Sequence, residues 1–150
     1  KLPTKIEYLK KIINSKKDNP DFKMLIFSDF SNSFDSIKSF LVTTGMTYKM
    51  VSGTTTTINN IITNYKMNNN ESLSIQILLL TTQYSASGIN LENTSDIVLY
   101  HSMSEDKTKQ IIGRGQRPGR TNQLHVWKLH YENEVNEKQM KDFENKKFNI

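Results

Sequence analysis

The sequence predicts an α/β domain in three layers, with a mainly parallel central sheet flanked by helices, and three observations carry that expectation. Met24–Phe27, Ile75–Leu80 (interrupted only by Gln76) and Ile97–Tyr100 are apolar runs of the kind found in strands buried on both faces. Between them, apolar residues recur at helical spacing, as in Ile6, Leu9, Ile12 and Ile13, or Phe34, Ile37, Phe40 and Leu41. The two patterns alternate along the chain with no internal repeat and no dividing linker, the order expected of a parallel sheet with crossover helices.

Thr4-Lys5-Ile6-Glu7 reads as a capping box, and the first helix runs from there to near Lys17. Lys1, Lys5, Lys10, Lys11, Lys16 and Lys17 are expected on its solvated face. Asp18-Asn19-Pro20-Asp21 is a turn, and Lys23–Ser28 is the first strand. A second amphipathic helix is expected from about Ser33 to Thr44, closed by Gly45 as its C-cap. Tyr48–Val51 is a short strand ending in Ser52-Gly53-Thr54, and a third helix carries Ile58, Ile61, Ile62 and Tyr65. Asn68-Asn69-Asn70-Glu71 reads as a surface loop tolerant of insertion. Ile75–Leu80, the most apolar run, is the best candidate for a central strand. A small and polar stretch, Thr81–Leu91, follows it, and then the strand Asp96–Tyr100. A helix from Ser104, a last strand within Gln123–Tyr131 and a charged helix over Glu134–Phe148 complete the order.

The 150 residues are read as one domain, long enough to bury a core. Because the first residue is Lys1 and not Met, the chain is expected to be a piece of a longer protein. No apolar run approaches the roughly 20 residues that span a bilayer, and no signal peptide is visible, so no membrane partner is expected. The lack of cysteine excludes disulfides and thiolate metal sites and fits a reducing compartment. A net charge of +5 suits a polyanionic partner, and equally a lysine-rich soluble surface.

In open parallel sheets, ligands gather beyond the carboxyl ends of the strands. Four stretches rich in hydroxyls or glycine fall there: Ser28-Asp29-Phe30, Ser52-Gly53-Thr54, Thr81–Asn90, and the loops flanking the helix from Ser104. Along that helix, at about 100° per residue, Gln110, Arg114 and Arg117 share one arc of about 60°. Ile111, Ile112 and Gly115 point elsewhere. An apolar side can pack on the sheet, leaving an amide and two guanidiniums whose donor forks suit phosphate oxygens. Gly113 and Gly115 each weaken the helix by about 1 kcal/mol relative to alanine, which points to a close approach of backbone or ligand. The same residues also suit a solvated helix end with arginines at the negative pole of the dipole.

Gln110-Ile111-Ile112-Gly113-Arg114-Gly115-Gln116-Arg117-Pro118-Gly119-Arg120 resembles the last motif of superfamily two helicases and translocases, in its Swi/Snf branch. Three further stretches agree in order. Met24–Phe30 is similar to the motif opening the second RecA-like lobe, and Ser52-Gly53-Thr54-Thr55 to the element that follows it. Leu80-Thr81-Thr82 with Gly88-Ile89-Asn90-Leu91 resembles the fifth motif. Ser85 and Ala86 stand where that family usually has a glycine pair. Arg120 replaces its usual glutamine, and no arginine occurs among Thr55–Asn60, where the branch often has one.

The resemblance implies that residues 1–150 are a second RecA-like lobe, the helicase C-terminal domain. Its partners would be double-stranded DNA and an N-terminal ATP-binding lobe of the same parent chain. Arg114 and Arg117 would reach the γ-phosphate, with Gln110 coupling ATP to motion. Gly88, Asn90 and Gly113 would lie near the nucleotide. Ser28, Ser52, Gly53, Thr54, Thr81 and Thr82 would contact the DNA backbone. ATP and Mg2+ would be held mainly by the other lobe, so this chain alone is expected to be inactive. None of its glycines is followed by lysine, which leaves it without a Walker loop. An intracellular site is implied, in the nucleus or another DNA-containing compartment, including a viral replication site.

Two other classes stay open on the residues alone. One is a phosphate-backbone binding module without an ATP role. The other is a small nucleotide-modifying α/β enzyme, which would need an acid and base pair that does not stand out. Trp127 is read as core, and His101 as a turn residue near the rim. His125 and His130, five apart on one strand, face opposite sides, so no shared metal is expected.

Overall fold

The computed structural model describes residues 4–86, 92–115 and 124–129. The elements are α1 (Lys5–Lys16), β1 (Met24–Phe27), α2 (Ser31–Thr44), β2 (Tyr48–Met50), α3 (Thr55–Tyr65), β3 (Ile77–Leu80), a 3-10 turn (Thr82–Ala86), β4 (Asp96–Leu99), α4 (Glu105–Gly115) and β5 (His125–Lys128). The strands form one sheet in the order β2-β3-β1-β4-β5, and each adjacent pair is parallel. β3 is interior as expected, but the middle position belongs to β1. The helix expected over 134–148 lies outside the described residues.

Local chemistry sets the boundaries. Thr4 caps α1, its hydroxyl accepting the Glu7 amide at 3.3 Å. Gly45 ends α2 with φ 73°, the left-handed conformation that a residue with a Cβ resists. α2 starts two residues earlier than its pattern indicates, at Ser31, with Phe30 in the cap position and no side-chain cap bond. Hydrophobic packing holds that first turn, because Phe30 and Phe34 are both buried.

Successive strand residues feed opposite faces, as a pleat requires. Met24, Ile26, Ile77, Leu79 and Val98 pack with Leu9, Ile12 and Ile13 of α1 and with Phe34, Ile37 and Leu41 of α2. Leu25, Phe27, Leu78, Leu80, Ile97 and Leu99 pack with Ile61 and Tyr65 of α3 and with Ile111 of α4. The result is three layers, two helices to a face. Trp127 is partly buried against the α1 and α2 side, in line with its reading as core.

Two surface expectations are corrected by the packing. Lys5 is buried, its ammonium 5.8 Å from the centre of the Tyr100 ring. Lys16 is drawn to the amino end of β4, 2.8 Å from Asp96 Oδ1. Both stems lie along apolar surface while the head group finds a partner. In the Asn68–Glu71 loop, Asn69 Nδ2 donates to Pro20 O at 2.7 Å and Phe22 O at 3.0 Å, fastening the loop to the turn before β1.

Candidate functional site at the carboxyl edge of the sheet

The motif-bearing stretches begin where the strands end, because a parallel sheet places every strand's carboxyl end on one edge. The ladder extends one residue past the strands. Ser28 N donates to Leu80 O at 3.0 Å, Val51 N to Leu79 O at 2.9 Å and Tyr100 N to Phe27 O at 3.0 Å. From β1 the chain departs into α2 on one face, and from β4 it departs into α4 on the other. The gap between the ends of β1 and β4 is therefore the topological switch point, the place where open α/β sheets receive ligands.

Asp29 stands at that gap and ties three strand ends together. Its Oδ1 accepts the Thr82 amide at 2.7 Å, and the Thr82 hydroxyl lies 2.7 and 2.6 Å from its two oxygens. Its Oδ2 is 3.8 Å from Lys107 Nζ on α4. Lys107 Nζ also donates to Thr82 Oγ1 at 3.4 Å. Across the gap, the Asp29 amide donates to His101 Nε2 at 2.9 Å. An accepting Nε2 requires the neutral ring to carry its proton on Nδ1, which lies 3.3 Å from Ser102 O. His101 is buried, and Phe30 meets its ring edge-on at 4.7 Å. His101 is the turn residue its sequence indicates, and in addition it bridges β1 and β4.

Ser28, expected at the DNA backbone, has a fully buried side chain whose Oγ accepts the Phe30 amide at 3.2 Å. That hydroxyl shapes the turn. Thr82 is likewise buried and committed to Asp29. Thr81 Oγ1 is buried and has no hydrogen-bond partner among the described residues. Ser52, Gly53 and Thr54 are exposed together at the end of β2. Gly53 adopts φ 105°, and a Cβ there would lie 3.4 Å from Thr57. Thr54 caps α3, accepting the Thr57 amide at 3.2 Å, so the amides of its first turn face an open helix end, where an anion is favoured.

Ser104 caps α4, accepting the Lys107 amide at 3.2 Å, with Glu105 and Asp106 suitably placed in the first turn. Ile111 is fully buried against the sheet and Gln110 is exposed, as the helical arc requires. A Cβ built at Gly113 meets nothing within 4 Å, so no described residue demands a glycine there. Arg114 lies in the last turn of α4. Arg117, Gly88 and Asn90 lie outside the described residues. The donors at this edge suit phosphate oxygens, and no group of three or more His, Asp or Glu fit to hold a metal occurs among the described residues.

Lys23 marks the opposite, amino edge. It is 4 % exposed, donates to Ile75 O at 2.7 Å and lies 5.2 Å from the Tyr65 ring centre. Burial pushes its ammonium down to about 8, against a smaller upward pull from Glu71. It lines a cavity of roughly 670 Å³ with Lys66, Asn69 and Asn93, away from the motif stretches.

Sequence reasoning picked out the Ser28-Asp29-Phe30 turn but not Asp29 as its organising side chain, and it missed Lys107. A carboxylate directly after a buried strand was the available signal, since a charge there needs partners. Among the described residues, no helix is long and apolar enough to cross a membrane.

Comparison with known proteins agrees with this geometry. The profile of the family described as "Helicase conserved C-terminal domain" matches residues 4–122. A protein of Acanthamoeba polyphaga mimivirus named as a helicase is 37% identical over 121 residues, covering 81% of this chain and 14% of that protein. The DNA excision repair protein ERCC-6 of Homo sapiens is 33% identical over 110 residues, covering 71% of this chain and 7% of its own length. The ISWI chromatin-remodeling complex ATPase ISW2 of Saccharomyces cerevisiae is 29% identical over 119 residues, covering 77% and 10%. The chain thus spans 14% or less of these relatives. Among solved structures, the C-terminal part of the Fun30 ATPase domain superposes with a TM-score of 0.72 at 24% identity, over 87% of this chain and 42% of that one. At that identity, the likeness speaks for the fold.

Proposed function

Because the chain belongs to the helicase conserved C-terminal domain family, as a second RecA-like lobe of the superfamily two, Swi/Snf type, we propose that it is one half of an ATP-driven translocase acting on double-stranded DNA. In this reading a first RecA-like lobe of the same parent protein binds ATP with Mg2+, and this lobe closes on it from the edge carrying α4. Arg114 and Arg117 supply guanidinium donors to the γ-phosphate, with Gln110 on the same arc and Gly88, Asn90 and Gly113 beside the nucleotide. Ser52, Gly53 and Thr54 hold one strand of the duplex by its phosphates. The Thr81-Thr82 turn adjoins that strand through its backbone, since the Thr82 amide and hydroxyl are taken by Asp29 and the Thr81 hydroxyl is buried. Ser28, with its hydroxyl turned inward, supports that grip through the shape of the β1 turn. The chain by itself turns over no ATP, and the parent works in a DNA-containing compartment.

The observation that carries this reading is the common edge. Ser52–Thr54, Thr81-Thr82, Asp29 and the start of α4 are brought to it by four different strands. Donors aimed at developing charge act on the transition state more than on binding. In the full-length protein, Arg117→Ala should therefore lower DNA-stimulated ATP turnover by about 100-fold or more, near the low end of arginine-finger effects. Lysine should restore little, since an ammonium cannot reproduce the guanidinium fork. ATP affinity should change far less. A folded Arg117→Ala protein with near-normal turnover at saturating ATP and DNA would overturn the assignment.

A further inference from the structure

We propose that Asp29 is the positioning residue that couples the nucleotide-facing helix α4 to the DNA-holding Thr81-Thr82 turn. This rests on the second-lobe reading above. Asp29 holds the beginning of α4 from two sides. Its amide binds His101, three residues ahead of the Ser104 cap, and its carboxylate faces Lys107 on the helix itself. The same carboxylate takes both the amide and the hydroxyl of Thr82, the first residue of the 3-10 turn. One side chain thus touches both elements that the proposed cycle must link.

Helical spacing gives the arrangement its direction. Positions 107, 110 and 114 follow i, i+3 and i+7, so Lys107 shares one face of α4 with Gln110 and Arg114. A phosphate drawing that face toward itself moves Lys107 with it. The bonds from Asp29 to Thr82 are short, at 2.6–2.7 Å, whereas the Lys107–Asp29 contact is 3.8 Å with Lys107 38 % exposed. The loose contact is the one able to lengthen or tighten, and the tight ones carry the change to Thr82. By linkage, the factor by which nucleotide alters DNA affinity equals the factor by which DNA alters nucleotide affinity.

The test is a binding experiment on the full-length protein. Duplex DNA affinity is measured with and without a non-hydrolysable ATP analogue, and the ratio of the two dissociation constants is the readout. In the wild type the ratio should be about ten-fold, inside the range typical of coupled sites. Asp29→Asn keeps an oxygen for the Thr82 amide but removes the charge facing Lys107, and should bring the ratio to about two-fold or less. Lys107→Met, on a half-exposed side chain, should do the same, and the double variant should go no lower than either alone. A merely structural role would lower the melting temperature and leave the ratio intact. If the wild type shows the ratio and both variants keep it, the Asp29 assignment is overturned while the second-lobe reading stands. If the wild type shows none, the coupled-translocase reading and the Asp29 assignment both fall, while the family membership stands. Should Asp29→Asn fail to fold, a ratio kept by Lys107→Met overturns the proposal. Lys107 also reaches the Thr82 hydroxyl directly at 3.4 Å, and Thr82→Val removes that direct contact while keeping the amide bond to Asp29. A ratio lost in Lys107→Met therefore supports Asp29 only if Thr82→Val retains it, and loss in both overturns the proposal.

Discussion

Lys16 Nζ lies 2.8 Å from Oδ1 of Asp96, a fully buried carboxylate at the first position of β4. The same oxygen accepts Trp127 Nε1 at 3.1 Å, and Oδ2 accepts the Ser95 hydroxyl at 2.9 Å. Lys16 also sits 5.6 Å from the Trp127 ring centre. α1, β4 and β5 are thereby joined at the amino edge, and the two partners should respond unequally to mutation. Lys16→Met leaves the carboxylate two donors and should cost about 1–3 kcal/mol. Asp96→Ala strands a lysine and an indole together, while the Ser95 hydroxyl keeps Lys23 O at 3.0 Å, and should cost about 3–5 kcal/mol. Urea unfolding of the two variants checks the order, and equal losses would contradict it.

Gly45 offers a cleaner test, because a Cβ there meets nothing within 4 Å. Its φ of 73° alone opposes substitution. Gly45→Ala should destabilise the fold by about 1–2 kcal/mol, the cost of an L-residue in the left-handed region. Gly45→Asn should lose less, since asparagine tolerates that conformation. Denaturation midpoints of the pair decide it.

Lys23 predicts a pH dependence. Its value is about 8 in the fold against 10.5 for an ordinary lysine. Between those values the unfolded chain binds the extra proton, so raising pH through this window stabilises the folded state. Below about 8 both states are protonated and the penalty of burying the charge is constant. Thermal melts from pH 7.5 upward should therefore show the wild type gaining on Lys23→Met as pH rises, before general alkaline unfolding intervenes. Parallel curves for the two proteins would refute the assignment.

For the DNA-holding role, affinity should be independent of sequence and should fall steeply with salt, because each neutralised phosphate releases a counterion. Titrating full-length protein onto unrelated duplexes at several salt concentrations measures this. Binding that is insensitive to salt, or strongly selective for one sequence, would rule out the backbone grip assigned to Ser52–Thr54 and Thr81-Thr82.

The elements were legible in the sequence where one local rule governed them. Continuous apolar runs marked β1, β3 and β4, since a strand covered on both faces has no polar side to alternate. Thr4 and Gly45 marked helix ends because caps answer to the backbone of their own turn. Arg114 and Gln110 were placed on α4 by spacing alone. Asp29 was not legible as an organiser, because its partners Thr82 and His101 lie 53 and 72 residues away. Lys16 looked like solvent-facing charge for the same reason, its carboxylate being 80 residues distant. Helix and strand identity follow from hydrogen bonds and side-chain periods within a few residues, which a sequence displays directly. Which charges meet at a strand end depends on the order of strands in the sheet, and only the closed tertiary structure, with β1 in the middle, decides that.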